Sequence, residues 1–590
     1  MNARISRLAI ALLILYVVLF AQLNIIQVGK RSSLEADARN NRQTVRDFNE
    51  PRGDIVTSDG VVIARNEPSD DEFDWQRVYP EGDTYTPITG YFTFGFGATG
   101  VEKVANDVLA GRTTEQQITG LASLFDGGDT SGSVEVTIDS RIQEAAKAAL
   151  GEREGSVVVV EPSTGAVKAM YSWPTYDTNI VATHDASLAS DVFEYLDAMP
   201  GKPLLANAYQ ERYMPGSTFK IITTAAALDA GFITLDTTWA EESEFLPPQT
   251  DNPIGNYGGK VCGGNLVEVF RRSCNTPFAR TAIALGPEVM VTAAERFGIG
   301  ETIPFDLPAP ASSYFGDVDY FQQNLPLLGI GGFGQGNTSM VPLHMALIAA
   351  AVANNGVMMK PYVIAETRDH DGRLLRRTAP TTWRTVMTPT TATTLRDLMV
   401  EVVRNGTARC CLQLANGIQA AAKTGTAQLN AAGEPESSHA WVVAFAPAEA
   451  PRYAIVVMLK GTTAEISAGT GGTLAGPIAK TVLDRALALI AKIRGGPLDR
   501  GLEHRPDVVR EDAVPLGGGM DSVRLVQFFD SGYAFQQEWH SDAVILRCKV
   551  LINLSEGGCV ILAHVGWYHH TRKNDFHMLV FASGTVDDGL

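Results

Sequence analysis

One stretch, residues 213–228, constrains the fold more than any other part of the chain: it reads Tyr-Met-Pro-Gly-Ser-Thr-Phe-Lys and then Ile-Ile-Thr-Thr-Ala-Ala-Ala-Leu. Pro215 and Gly216 interrupt whatever precedes them, and mainly apolar residues follow, which predicts a helix that begins at Ser217 and lies inside a core. Ser217 and Lys220 then share one face of this helix, close enough to touch. A lysine amine can activate a serine hydroxyl once burial, a helix N-terminus and a second cation lower the pKa of the amine.

The catalytic interpretation depends on two further motifs, because a serine and a lysine three residues apart occur by chance in most long proteins. Ser273-Cys274-Asn275 comes first, and Lys423-Thr424-Gly425-Thr426 follows it. Motifs of these three types, in this order, are shared by serine β-lactamases and penicillin-binding proteins. Cys274 stands where the middle motif often has Asp, which the relaxed Ser-x-Asn form allows.

The N-terminus predicts a membrane anchor. Arg4 and Arg7 precede a long apolar run, and we assign residues 1–7 to a cytoplasmic head and residues 8–29 to a transmembrane helix. The bulk of the chain would then lie outside the cytoplasm, in a single-pass protein of the cell membrane. The alternative is a cleaved signal peptide, against which stand the length of the apolar run and the lack of a convincing cleavage site.

Composition and local motifs limit the partners and ligands that this chain can be expected to bind. The chain has 590 residues and a net charge of −18, which argues against a nucleic-acid partner. Six cysteines in this length do not make a disulfide scaffold, although they allow one or two bridges. The glycine-rich segment 331–337 lacks the lysine of a phosphate-binding loop. We expect no cofactor and no metal.

The order of apolar and polar segments predicts three modules after the anchor. Residues 32–150 form a non-catalytic pedestal, for which a plain spacer is the alternative. Residues 151–495 form an α+β domain, with strands at both ends that meet in one antiparallel sheet flanked by helices. Lys423 is expected on a strand at the edge of that sheet. Residues 496–590 are either a small extra domain or an extension of unknown role, and the spacing of Cys559, His569 and His570 fits no metal-ligand set.

The chain resembles the class B penicillin-binding proteins over about residues 1–490, most closely those of the actinobacterial A type. Arg52-Gly-Asp-Ile55 and Gly100-Val-Glu102 resemble two boxes of the class B pedestal. Tyr213–Lys220 resembles the catalytic box nearly residue for residue, and Asn256-Tyr-Gly-Gly259 also resembles the A type. The resemblance implies a serine β-lactamase/transpeptidase-like sheet flanked by helices, preceded by a transmembrane helix and a pedestal.

The resemblance also implies a role for each motif residue. Ser217 would be the acylated nucleophile, and Lys220 its general base. Ser273 would relay a proton to the leaving amine, and Asn275 would bind the amide of the substrate. Lys423 would add positive charge that lowers the pKa of its neighbours and helps to hold the substrate carboxylate.

The remaining implied roles concern substrate binding. The hydroxyl groups of Thr424 and Thr426, with Gly425 between them, would hold the carboxylate of the substrate. The backbone N–H groups of Ser217 and Thr426 would form the oxyanion hole.

The implied function is that of a peptidoglycan D,D-transpeptidase, which attacks the D-Ala-D-Ala bond of a stem peptide through a Ser217 acyl-enzyme and is inhibited by β-lactams. Its partners would be stem peptides, β-lactam antibiotics and a membrane-embedded glycan polymerase of the shape, elongation and division family. One alternative is a hydrolase, either a D,D-carboxypeptidase or a β-lactamase, although no Glu-x-x-Leu-Asn element is found. The other is a non-catalytic β-lactam sensor or scaffold.

The cysteines allow one specific prediction. Cys262 and Cys274 lie outside the membrane in this topology and are twelve residues apart, so a bridge between them would add roughly 3 kcal/mol of stability in the chain-entropy model. The alternative is that Cys274 is a small core residue. Cys410 and Cys411 are not expected to pair with each other, because a bridge between adjacent residues is strained.

Overall fold

The computed structural model describes residues 2–24, 48–119, 129–429 and 437–494, together with five strands between residues 524 and 582. The chain divides into two compact units, residues 1–487 and 488–590. The first unit contains all the motif residues singled out by the sequence.

The N-terminal helix Asn2–Asn24 contains an 18-residue stretch, Arg7–Asn24, that is long and apolar enough to cross a membrane. One such helix fits a single-pass membrane protein. The predicted anchor extends to residue 29, and its last five residues lie outside the described part of the chain.

A five-stranded antiparallel sheet forms the centre of the large domain. Its strands, in spatial order, are Ala421–Gln428, Ser438–Ala446, Tyr453–Leu459, Gly155–Val160 and Val167–Trp173. Strands from the two ends of the domain therefore meet at Tyr453–Leu459 and Gly155–Val160. The three middle strands are almost wholly buried, as expected for apolar strands covered on both faces. The predicted α+β class is confirmed, and the strand that carries Lys423 lies at one edge.

Helices flank this sheet. The helix Lys220–Asp229 is buried along its first eight residues, and Pro342–Ala353 packs against the central strands. The others are Ala186–Ala198, Leu266–Arg272, Thr276–Arg296, Val318–Gln323, Leu325–Gly331, Pro389–Asn405, Ala464–Ala468 and Gly476–Arg494.

Two short strand pairs form an arm beside the start of helix Thr276–Arg296. They are Thr238–Glu242 with Cys262–Asn265 and Glu244–Phe245 with Ile254–Gly255. A third pair joins Val357–Met359 to Thr382–Thr385.

The pedestal is built around a six-stranded sheet. Its strands, in spatial order, are Leu374–Arg377, Ile364–Arg368, Ser133–Val136, Ile55–Val56, Val62–Pro68 and Trp75–Val78. Short helices at Thr86–Thr89, Gly100–Val104, Asn106–Leu109 and Thr114–Thr119 and a hairpin of Phe92–Thr93 with Gly97–Ala98 complete it.

Two segments lie in a different domain from the one that the sequence analysis assigned to them. The strands Ile364–Arg368 and Leu374–Arg377 come from within the range assigned to the catalytic domain, yet they extend the pedestal sheet. The helix Ser140–Leu150, assigned to the pedestal, packs on the catalytic sheet, where the Gln143 side chain bonds to both the N–H and the C=O of Met170. The first contact joins segments more than 200 residues apart and the second joins residues 27 apart, and local patterns reveal neither.

In the second unit, Arg524–Phe529 pairs with Tyr533–Glu538. Leu546–Leu551, Leu562–His569 and Phe576–Ala582 form a three-stranded antiparallel sheet. Of the residues considered for a metal in the tail, Cys559 and His570 lie outside the described chain.

Candidate active site

Ser217 lies on a tight turn where the buried helix meets the edge strand. The segment Gly216–Phe219 is a 3-10 turn that runs directly into helix Lys220–Asp229. Two glycines allow the close approach: a Cβ atom on Gly216 would lie 2.6 Å from the Thr426 carbonyl oxygen, and one on Gly425 would lie 2.6 Å from that of Pro215. Gly216 also has a φ of 53°, which side chains disfavour. The sequence around Ser217 is therefore fixed by contact with the strand.

Lys220 points towards the second motif. Its Nζ donates to the Ser273 carbonyl oxygen at 2.8 Å and to Asn275 Oδ1 at 2.9 Å, and it lies 3.4 Å from Ser273 Oγ. Within the described chain, none of its hydrogen bonds goes to Ser217. The expected contact of Lys220 with Ser217 is thus not made in this state, which is common before substrate tightens a site.

Burial and charge favour the neutral form of this amine. Lys220 is fully buried, which lowers its pKa well below the usual value, and the nearby Lys423 lowers it further. The rings of Phe278 and Phe333 lie 5.2 and 5.8 Å from its Nζ. Burial also lowers the pKa of Lys423 to about 7. Burial therefore makes Lys220 a better candidate for a proton acceptor than an exposed lysine would be.

Ser273 lies between the two lysines. Lys423 Nζ donates to Ser273 Oγ at 2.7 Å and also to the Thr424 carbonyl oxygen at 3.0 Å. Ser273 ends helix Leu266–Arg272 in the left-handed conformation, with φ 62°. Non-glycine residues in this region are uncommon and often mark functional sites. This turn aims both the carbonyl oxygen and the hydroxyl of Ser273 into the site.

The edge strand forms the facing wall. Thr424 Oγ1 lies 2.6 Å from Thr407 Oγ1, and the backbone N–H of Gly471 approaches Thr426 Oγ1 at 3.4 Å. Behind the strand, Trp441 Nε1 donates to the Met214 carbonyl oxygen at 2.9 Å and so ties the neighbouring strand to the segment before Ser217. All three motifs therefore meet in one cleft.

The cleft encloses a cavity of about 270 Å³. Besides motif residues, its lining includes side chains that the sequence analysis did not assign to the site: Asn256, Tyr257, Lys260, Arg272, Gln335, Thr407, Gln428 and Thr470. Lys260 and Arg272 are the charged side chains among these eight lining residues. This part of the lining is therefore cationic, although the whole chain is acidic. For Asn256 and Tyr257, the resemblance of Asn256-Tyr-Gly-Gly259 to the A type was the available signal.

The structure contains two disulfides. Cys262 is bonded to Cys274, with Cα atoms 5.7 Å apart, and this bridge ties the second motif to the arm. Cys410 is bonded to Cys411, contrary to the expectation that they would not pair. These two residues lie in the turn that follows Thr407, where the Cys411 N–H bonds to the Ala408 carbonyl oxygen, and this tight turn brings adjacent side chains within reach.

Two family models match the chain. Residues 155–484 match the penicillin binding protein transpeptidase domain, and residues 52–134 match the penicillin binding protein A dimerisation domain. Together they cover most of the first compact unit outside the N-terminal helix.

Relatives match over most of their length. The chain is 37% identical to the peptidoglycan D,D-transpeptidase PbpA of Mycolicibacterium smegmatis over 500 residues, which is 82% of this chain and 99% of the relative. It is 35% identical to the protein of the same name from Mycobacterium tuberculosis, with the same coverage.

Solved structures agree with these matches. Penicillin-binding protein A from M. tuberculosis as a ceftriaxone acyl-enzyme complex has a TM-score of 0.70 at 33% identity, over 75% of this chain and all of that chain. The penicillin G acyl-enzyme complex of the same protein has a TM-score of 0.69 at 33% identity, over 74% of this chain and all of that chain. The chain therefore belongs to the class B penicillin-binding proteins, and within them to the PbpA type of D,D-transpeptidase.

Proposed function

We propose that this chain cross-links peptidoglycan stem peptides through an acyl-enzyme on Ser217. The observation that carries the proposal is the pair of fully buried lysines on either side of Ser273. Burial and a second cation both lower the pKa of an amine and so favour its neutral form, and only a neutral amine can take the proton of Ser217.

In the first half-reaction, Ser217 Oγ attacks the carbonyl carbon between the two terminal D-alanines, and Lys220 Nζ accepts the hydroxyl proton. The bond from Ser217 Oγ to carbon forms, the C–N bond breaks, and the leaving D-alanine amine takes a proton by way of Ser273. Ser273 Oγ lies 2.7 Å from Lys423 Nζ and 3.4 Å from Lys220 Nζ, and its place between the two amines supports this relay.

In the second half-reaction, the amine of a neighbouring stem peptide attacks the acyl carbon. Lys220 again accepts the proton of the attacking group, the ester bond breaks, and Ser217 regains its hydrogen through the same relay. The net change is exchange of one amide bond for another, so the chemistry needs no oxidant, metal or other co-reactant.

Substrate would bind along the edge strand. Thr424 and Thr426 expose hydroxyl groups on one wall, Gly425 keeps the strand close to the Ser217 turn, and Lys423 stands behind them. A terminal carboxylate of a stem peptide, or that of a β-lactam, fits these donors, while Asn275 on the facing wall can donate to the substrate amide.

We further propose that residues 1–7 lie in the cytoplasm and that the pedestal and catalytic domain lie outside it. The arginines before the apolar helix favour this orientation. A membrane-embedded glycan polymerase is the partner that would supply fresh strands to such an enzyme.

A product analysis tests the proposed reaction. The chain without residues 1–29 is incubated with a synthetic stem pentapeptide ending in D-Ala-D-Ala and an increasing concentration of an amine acceptor, and products are identified by mass spectrometry. We expect the terminal D-alanine to be replaced by the acceptor in proportion to acceptor concentration, and no reaction with Ser217→Ala. Removal of D-alanine by water alone, at every acceptor concentration, would identify a carboxypeptidase instead.

A further inference from the structure

The helix Thr276–Arg296 begins in an unusual way. Asn275 occupies its N-cap position but makes no side-chain bond to the helix. An asparagine at this position normally accepts a bond from a backbone N–H in the first turn of its own helix. Here Asn275 Oδ1 accepts instead from Lys220 Nζ at 2.9 Å, and its Nδ2 donates to the Gly255 carbonyl oxygen at 3.2 Å. The side chain is turned away from the helix and towards the cleft.

Asn256 binds the first two N–H groups at this end from outside the helix. Its Oδ1 accepts from the backbone N–H of Asn275 at 2.7 Å and from that of Thr276 at 3.1 Å. Its Nδ2 donates to the Glu242 carbonyl oxygen at 2.9 Å and to Thr276 Oγ1 at 3.3 Å. The residue is only 7% exposed, so these bonds are shielded from water. Both halves of the amide are used, which fixes its orientation.

The segment that carries Asn256 is anchored on both sides. Before it, Ile254–Gly255 pairs with Glu244–Phe245, and after it Cys262 is bonded to Cys274. The arm therefore holds the Asn256 amide directly against the second motif.

We infer that Asn256 is a positioning residue of the active site: it accepts from the backbone N–H groups of Asn275 and Thr276 and so holds the second motif where Asn275 Oδ1 meets Lys220 Nζ. The inference rests on the proposed function, because it assigns Asn256 a part in aligning the base of that reaction. Asn256 itself accepts no proton in this scheme.

Removing the Asn256 side chain should have a defined consequence. The N–H groups of Asn275 and Thr276 would lose their acceptor, and the start of the helix would no longer be held against the arm. When Asn275 shifts with the start of the helix, Lys220 Nζ loses one of the acceptors that orient it and favour its protonated form. The groups that still face Lys220 are Ser273, the cation of Lys423, and the rings of Phe278 and Phe333.

The test compares three variants of the chain without residues 1–29. Asn256→Ala removes the acceptor of the two N–H groups, and Asn256→Asp keeps one. Asn265→Ala is the matched control, because Asn265 caps the adjacent helix Leu266–Arg272 through the Glu268 N–H at 3.0 Å. The second-order rate of acylation by a fluorescent penicillin is measured from pH 5 to 10, per folded molecule as determined by circular dichroism.

We expect Asn256→Ala to acylate roughly 10- to 100-fold more slowly than wild type, the scale of a small misplacement of a reacting group. The rising limb of its pH profile should also move to lower pH, because Lys220 has lost an acceptor for its ammonium form. Asn256→Asp should recover to within about tenfold of wild type, since Asp and Asn are similar caps. Asn265→Ala should acylate like wild type.

Equal rates for Asn256→Ala and Asn265→Ala, or an unmoved rising limb in Asn256→Ala, would overturn the inference. If Asn256→Ala does not fold, the decision rests on Asn256→Asp, and a rate in the folded variant more than about 100-fold below that of wild type would overturn it. Wild-type protein that penicillin does not label at all would refute the proposed function itself, which is a separate result.

Discussion

At the scale of single residues, the two buried lysines of the active site lower the stability of the fold. Lys220 and Lys423 are both fully buried, and no carboxylate is among the groups that shift the pKa of either amine. Burying a charged amine without a counter-ion is unfavourable, and the fold reduces this cost by releasing protons rather than by pairing charges. The same burial that opposes folding makes Lys220 a usable base.

The substitution Lys423→Met should therefore stabilise the protein while abolishing acylation. The pKa of Lys423 falls from 10.5 in the unfolded chain to about 7 in the folded one. Between these values the unfolded state holds more protons, so the stability of the wild type rises with pH in this window. The gain from Lys423→Met should be roughly 1–4 kcal/mol at pH 6 and shrink towards pH 10. Urea unfolding at several pH values measures it.

The control for this experiment is Lys480→Met, which removes a partly exposed lysine paired with Asp484. Its effect on unfolding should be small, because the pair is partly exposed. A Lys423→Met variant that is less stable than wild type at pH 6 would contradict the account of the buried lysines.

Much of the residue-scale picture follows from sequence, because the three motifs are local patterns. Ser217, Lys220, Ser273, Asn275, Lys423, Thr424 and Thr426 are all found around one cleft. The left-handed turn at Ser273, the bonds of Asn256 to the second motif and the position of Thr407 could not be predicted in the same way. Each depends on contacts between segments well separated in sequence, which no local pattern contains.

At the scale of elements, one buried carboxylate connects several segments of the pedestal. Glu102, at the start of a short helix, accepts from Arg52 Nε at 2.7 Å and Arg77 Nε at 2.6 Å, and it lies 3.2 Å from the Tyr79 hydroxyl. Burial alone would raise the pKa of this carboxyl, but the two arginines outweigh burial and hold it below its usual value. Glu102 thereby joins the segment before strand Ile55–Val56, strand Trp75–Val78 and its own helix, Gly100–Val104.

Replacing this carboxylate by Glu102→Gln should destabilise the pedestal by about 3–5 kcal/mol, because it leaves two buried guanidinium groups without a counter-charge. Glu67→Gln is the matched control, since its pair with Arg65 is about half exposed and should contribute at most about 1 kcal/mol. Thermal unfolding followed by circular dichroism compares the two. Equal melting temperatures for the two variants would contradict a structural role for the Glu102 cluster.

Elements that bury both faces were the easiest to predict. The strands Gly155–Val160, Ser438–Ala446 and Tyr453–Leu459 are continuous apolar runs, and their antiparallel sheet follows from the sequence. The strands Ile364–Arg368 and Leu374–Arg377 are rich in charged residues, and they join the pedestal sheet only through partners more than 200 residues away. Their place is determined by tertiary contacts.

At the scale of the whole molecule, the active site is complete within the first compact unit. Every motif residue lies before residue 427, and the matched transpeptidase domain ends at residue 484. The second unit contributes strands that pair among themselves. Nothing in the proposed mechanism requires them.

Deletion of residues 496–590 should consequently leave the acylation rate of the chain within about twofold of the full-length value, because this segment contains no motif residue and follows the end of the matched transpeptidase domain. Penicillin acylation kinetics of both forms, each without residues 1–29, measure this. A large fall in rate would show that the tail supports the catalytic domain.

The central claim is that Ser217 forms the covalent bond. The direct measurement is intact-protein mass spectrometry after incubation with penicillin G, for wild type, Ser217→Ala and the control Ser187→Ala, whose serine lies on the exposed side of helix Ala186–Ala198. We predict one added penicillin mass on wild type and on Ser187→Ala, and none on folded Ser217→Ala. A full penicillin adduct on Ser217→Ala would contradict the assignment of the nucleophile and, with it, the proposed mechanism.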